Sequence, residues 1–125
     1  MPRIRTFKPS FWGSPEIAVM SRDARLLALG LISFADDDGR FIAGISGING
    51  YVFQNDNLPS SRVMKWYGEV LDTGFVHAYS ASGVHYGCIP SWHNHQVINR
   101  YTPSKLPPPI DVDCAVRKQG GSTDV

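Results

Sequence analysis

The sequence predicts an α+β fold, and three features of the 125-residue chain carry the prediction. An amphipathic helix spans residues 60–73, the apolar period changes from 3.6 to 2 directly after it, and a second apolar helix occupies residues 21–34. In chain order the first element is a short turn or helix near 15–20, since Pro15 suits a first helical position and Glu16 suits the positive end of the dipole. Over 21–34, Ala24, Leu27, Leu31 and Phe34 form one stripe, with Leu26, Ala28 and Ile32 widening it past half the circumference; Ser21 is the expected N-cap. Asp36-Asp37-Asp38-Gly39 reads as an exposed turn that stops this helix, and residues 40–43 as a short strand that joins a later hairpin.

Residues 44–54 repeat Ile45, Ile48, Val52 and Phe53 at helical spacing, although Gly44, Gly47 and Gly50 each weaken a helix by about 1 kcal/mol relative to alanine. A turn-rich connector over 55–59 follows. In the helix 60–73, Val63, Trp66, Tyr67, Val70 and Leu71 make the apolar stripe, Ser60 or Ser61 caps the first turn, and Gly74 ends it. Phe75, Val76, Ala78 and Tyr79 then lead into a turn at Ser80-Ala81-Ser82-Gly83, and Val84, Tyr86, Cys88 and Ile89 return before Pro90. Residues 93–100 have no clear period, and the prolines of 103–109 enforce an extended path. A helix feeding a hairpin, after two earlier helices, is the order of a winged helix-turn-helix: a three-helix core with a β-hairpin wing, plus extended tails. The expected organisation is a basic N-terminal arm (1–12), the winged helix-turn-helix domain (13–92), and an extended Pro-rich segment with a flexible tail (93–125).

Composition narrows the function. A hydrophobic share of 42% with 11% aromatics describes a globular chain with one modest core. No apolar run approaches the roughly 18 residues a membrane span needs, and the charged, proline-containing start is no signal peptide, so a cytoplasmic protein with no membrane partner is expected. Cys88 and Cys114 read as free thiols. The net charge of +1 is small for a nucleic-acid binder, but its distribution is uneven: Arg3, Arg5 and Lys8 form a basic arm, whereas Asp36, Asp37 and Asp38 form an acidic knot. Arm charges of this kind either solvate a disordered end or follow phosphates and the minor groove.

Other residues suggest chemistry and do not sustain it. His93-Asn94-His95 spells the name of a nuclease motif whose residues are in fact spread over tens of positions. His77, His85 and Cys88 lack the paired spacing that anchors zinc, and the triple aspartate lacks the distal glutamate of a calcium loop. No phosphate loop or catalytic trio is recognisable, so no enzyme activity, catalytic residue, metal or cofactor is expected. Trp66 and Tyr67 belong to a core stripe, whereas Phe11, Trp12, Trp92 and Tyr101 flank the domain and are expected to pin both tails onto it, or to form a partner surface.

Three stretches resemble a known family: the opening from Arg3 to Trp12 (RIRTFKPSFW), the run from Ser21 to Leu27 continuing to Phe34-Ala35-Asp36-Asp37-Asp38-Gly39-Arg40, and Ile89-Pro90-Ser91-Trp92-His93-Asn94-His95-Gln96 through Asn99-Arg100 to Pro103-Ser104-Lys105-Leu106-Pro107. Together they are similar to the N-terminal winged-helix domain of phage and prophage replication-initiation proteins of the replisome-organiser or DnaD-like kind, over about residues 3–109. The resemblance implies a winged-helix fold and DNA binding in phage biology, with a Gly-rich second helix as a departure. Longer members carry a further C-terminal domain, so origin binding, repression, excision-type architecture and inhibition of a host machine all stay open. The expected function is therefore a phage-type winged-helix DNA-binding protein in replication initiation or transcriptional or architectural control, with double-stranded DNA as partner and a homodimer as one candidate assembly. Ser61, Arg62 and Lys65 would meet the major groove, with Glu69 accepting from a cytosine amine, and Arg3, Arg5, Lys8, Arg100 and Lys105 would add phosphate contacts, as would the hairpin near Ser80 and Ser82. The competing expectation is a protein-interaction module that binds and inhibits a host or phage protein, for example in counter-defence; near-neutral charge and the acidic turn favour it.

Overall fold

A computed structural model describes residues 4–109. It is an α+β arrangement of helices and one antiparallel sheet: a 3-10 turn (Pro9–Gly13), α1 (Pro15–Ala18), α2 (Arg22–Phe34), β1 (Arg40–Ile42), α3 (Ile45–Val52), α4 (Ser60–Thr73), β2 (His77–Ala81), β3 (Val84–Cys88) and α5 (Trp92–His95). No helix among the described residues is long and apolar enough to cross a membrane.

Helix α2 begins where expected, with the Ser21 hydroxyl accepting from the Ala24 N–H. Its buried stripe is narrower than the sequence suggested: Ala24, Leu27, Ala28 and Leu31 are buried, while Leu26 is half exposed. Helix α3 forms despite its glycines because packing holds it. Gly44 proves to be its N-cap, Ile48 is fully buried, the Tyr51 hydroxyl lies 2.6 Å from the Ser33 hydroxyl, and Asn49 Nδ2 donates to the Leu58 carbonyl at 2.9 Å. Gly30 of α2 makes the helix pair close, since a Cβ there would meet the Val52 side chain at 2.6 Å. Helix α4 starts differently from expectation. Pro59 occupies its N-cap position, and neither Ser60 nor Ser61 supplies a side-chain cap. At its other end Gly74 adopts the predicted left-handed conformation.

The sheet order is β1-β3-β2: the short strand at residues 40–42 joins the hairpin, as its sequence suggested, and the structure puts it on the β3 side. The hairpin strands run further than the predicted turn allowed: β2 continues through Ala81, and only Ser82 and Gly83 form the turn, both with positive φ as a type I′ turn requires. Register places Phe41, Gly87 and Ala78 on one face, towards Tyr67 of α4, and Arg40, Ile42, Tyr79, Tyr86 and Cys88 on the other. The core lies between the first face and the helices, filled by Leu27, Leu31, Ile48, Val63, Val70 and Val76.

The opposite face is not left to solvent. The Pro-rich segment runs over it, with Arg40 Nη1 donating to the Leu106 carbonyl at 3.0 Å and the Tyr79 hydroxyl to the Pro107 carbonyl at 2.7 Å. Cys88 lies fully buried on this face and is disulfide-bonded, which corrects the reading of two free thiols; Cys114 is outside the described residues. Arg3 and the remainder of the tail expectation likewise fall outside them.

Tyr67 departs from good packing. Burial pushes its hydroxyl up to about 12, and the oxygen has no hydrogen-bond partner among the described residues. An unsatisfied buried hydroxyl costs about 1–3 kcal/mol, so Tyr67→Phe should melt at or above the wild-type temperature; a loss above about 1 kcal/mol would reveal a partner for that oxygen.

Candidate nucleic-acid interface and an aspartate clasp

The period of α4 separates two faces. Val63, Tyr67 and Val70 turn to the core, which leaves Ser61, Met64, Lys65 and Gly68 on the opposite strip at i, i+3, i+4 and i+7, with Arg62 on its flank. Ser61, Arg62 and Lys65 are exposed, so the structure brings these three expected residues together on one helix. Beside the strip, α4 and the hairpin enclose a groove of about 450 Å³ lined by Met64, Leu71, Ala78, Ser80 and His85. Met64 and Gly68 were not singled out from the sequence, although the same helical period that found the core stripe assigns them to the outer strip, and His85 was weighed only as a zinc ligand.

Glu69 does not join that strip. Its carboxylate accepts from the Ser21 N–H at 2.8 Å and the Ser21 hydroxyl at 2.9 Å, tying α4 to the start of α2. The Ser21 N–H bond holds its carboxyl below the usual value, against a small opposing effect of desolvation. The expected contact to a cytosine amine is therefore replaced by an internal one.

The arm expectation changes more. Arg5 is buried: its Nη2 lies 3.0 Å from Asp37 Oδ1 and 3.0 Å from the Ala35 carbonyl, and its guanidinium stacks 5.2 Å from the Trp92 ring centre. Its side chain is 6% exposed, which removes it from any nucleic-acid surface. Thr6 is fixed by Gln96, whose Oε1 accepts from the Thr6 N–H at 3.1 Å and whose Nε2 donates to the Thr6 carbonyl at 2.6 Å. Lys8 stays exposed, with Nζ donating to the Asn94 carbonyl at 3.2 Å. Arg100 and Lys105 are exposed on the C-terminal segment, which covers the sheet face away from α4, so they do not join Arg62 and Lys65 in one patch.

Asp36, Asp37 and Asp38 are not an exposed turn. All three carboxylates are engaged by the C-terminal segment, and Asp37 by the N-terminal arm as well. Asp36 accepts from the Ser104 hydroxyl and, through Oδ1, from the N–H groups of Asp38 and Arg40 at 3.0 Å each. Asp37 accepts from the Thr102 N–H at 2.9 Å as well as from Arg5, and its carbonyl accepts from Trp92 Nε1 at 2.9 Å. Asp38 meets His93 Nε2 at 2.8 Å, the Tyr101 hydroxyl at 2.7 Å and the Ser104 N–H at 2.8 Å. Gly39 completes the turn with a φ of 77°, and the Trp92 ring packs where a Cβ would stand. Trp92 and Tyr101 thus pin the C-terminal segment as the sequence suggested. Phe11 does the same for the arm, edge-on to Phe75 at 6.1 Å, while Trp12 remains 54% exposed.

No family model, curated protein or solved structure matches the chain.

The clasp makes stability depend on acid pH. Burial alone would raise the Asp38 carboxyl, but bonds from His93, Tyr101 and the Ser104 N–H, with the Arg40 charge, hold it below its ordinary 3.8. As pH falls, the unfolded chain binds this proton before the folded one does. The stabilisation is therefore complete above the ordinary value and drains away below about pH 5 as the lowered value is approached. Thermal melts across pH should show Asp38→Asn destabilised at neutral pH but with a shallower acid limb; an unchanged limb would assign the acid sensitivity elsewhere.

Proposed function

We propose that this chain is a winged-helix protein that binds duplex DNA, with α4 as the recognition helix and β2–β3 as the wing. The observation that carries the reading is the exposed strip of α4, where Ser61, Arg62 and Lys65 stand together beside a hairpin closed by a tight turn. A helix of this length fits the major groove, and its two cations are of the type that contact phosphates or guanine edges. Lys8, Arg100 and Lys105 are exposed and would add phosphate contacts only where DNA bends around the domain. The process served is phage-type replication initiation or transcriptional or architectural control, consistent with the family resemblance of the three sequence stretches. Double-stranded DNA is the partner, and the assembly on it is a monomer or a homodimer.

A second reading has its own observation. Phe7, Trp12 and Val19 are 50%, 54% and 74% exposed around the arm, an apolar surface that suits a module binding and inhibiting a host or phage protein.

Fluorescence anisotropy over a salt series decides between the two. Wild type should bind random duplex with a negative log–log slope. Arg62→Ala with Lys65→Ala should weaken binding and flatten the slope by up to about 0.9 for each phosphate no longer neutralised, with melting unchanged. Binding that is unaffected in the folded double variant would remove α4 from the interface. Absence of duplex binding by wild type would favour the protein-interaction reading.

A further inference from the structure

We infer that the outer sheet face is a docking site for a proline-rich segment of a partner protein, and that the chain's own residues 105–109 occupy it in the partner's absence. The inference is independent of the duplex-binding reading above.

The seated segment shows the chemistry that the face accepts. Each proline of Pro107-Pro108-Pro109 fixes its own φ at about −65° and drives the residue before it towards extended backbone, so residues 106–109 favour the polyproline II helix before they dock. Such a helix has no internal hydrogen bonds, and its prolines have carbonyls to offer and no N–H to satisfy. The face supplies the matching donors. Arg40 Nη1, from β1, reaches the Leu106 carbonyl at 3.0 Å, and the Tyr79 hydroxyl, from β2, reaches the next carbonyl, that of Pro107, at 2.7 Å. Tyr79 also stacks on Tyr86, with ring centres 5.4 Å apart and planes 24° from parallel. Aromatic rings with donors among them are a recurring means of recognising proline-rich peptides, because a preformed helix loses little entropy on docking.

The chain's own segment fills the site incompletely, which leaves it open to replacement. A cavity of about 640 Å³ is lined by Pro103, Lys105 and Leu106 of the segment and by Phe34, Ile42 and Tyr51 of the domain, with Ile42 53% exposed. Arg5, Asp36 and Asp37 also reach this cavity, but each is already bonded within the clasp, Arg5 to Asp37 and Asp36 to Ser104. What the cavity lacks is therefore apolar bulk. A ligand with an aromatic residue in the place of Leu106, directly before the prolines, would supply it and keep both carbonyl bonds.

The test uses the full-length protein under reducing conditions, so that no disulfide at Cys88 holds the segment to the face, and a fluorescent peptide of residues 104–109, SKLPPP. Pro107→Gly with Pro108→Gly loosens the chain's own segment and should raise affinity for the peptide about tenfold over wild type, since two prolines no longer restrict the free chain. Adding Tyr79→Phe to that variant should cost about fivefold, the value of one hydrogen bond. A peptide with tryptophan in place of leucine should bind more tightly, and one with alanines in place of the prolines should not bind. If the loosened variant does not fold, wild type answers the same question: the tryptophan peptide at millimolar concentration should shift the ring resonances of Tyr79 and Tyr86. No binding by the folded variant, no shift in wild type, or equal affinity for the proline and alanine peptides would overturn the inference. Equal affinity for the leucine and tryptophan peptides would overturn the role given to the cavity. A wild-type dimer that the peptide dissociates would assign the face to the segment of a second copy of this chain and overturn the partner-protein assignment.

Discussion

Burying Asp37 and Asp38, with Asp36 half-buried beside them, is unfavourable unless each carboxylate is paired or hydrogen-bonded, and that requirement shapes this molecule. Asp36, Asp37 and Asp38 stand at the end of α2, where β1 begins, and their oxygens collect Arg5 from the N-terminal arm with His93, Tyr101, Thr102 and Ser104 from α5 and the segment after it. Both ends of the described chain are thereby drawn to one turn. The C-terminal segment, so directed, then lies over the outer sheet face and shields Arg40 and Cys88. Arg5 Nε has no partner among the described residues, a local cost set against the two bonds its Nη2 makes.

The clasp also redistributes charge. Arg5 is spent on Asp37 and Arg40 on the Leu106 carbonyl, so two cations that a sequence count would offer to DNA are internal. The three acids are likewise turned inward, Asp37 onto Arg5 and all three onto hydrogen-bond donors, so they do not present the exposed acidic turn that would face a polyanion. What remains on the helix surface is a short strip on α4 with few charges. Under the proposed duplex binding, selectivity would come more from shape and base contact than from a long basic face.

Much of the fold was legible in the sequence because it obeys local rules. The stripe of α4, the Ser21 cap and the left-handed Gly74 follow from period and capping, and the pairing of residues 40–42 with the hairpin from the expected order of elements. The long α2 was legible in extent and only partly in facing, since Leu26 lies outside the buried stripe. The clasp was not legible. Asp-Asp-Asp-Gly has the composition of a solvated turn, and the groups that bury it lie 55 to 68 positions downstream or, for Arg5, in an arm that reads as free. The three stretches that carry the family resemblance do include nearly every clasp residue, but a pattern of letters does not disclose that they touch. Ser60 and Ser61 misled for the opposite reason: good capping residues were present, yet Pro59 takes the N-cap position and Ser60 and Ser61 lie inside the first turn.

The dependence of the structure on the clasp is tested most directly by a double-mutant cycle on Arg5 and Asp37, read by denaturant unfolding. Each single change to alanine leaves one buried charge without its partner and should cost about 3–5 kcal/mol, while the double variant should cost well below their sum. Single costs under about 1 kcal/mol that simply add would contradict the account, because they would mean that the arm and the aspartate turn are stabilised independently of each other.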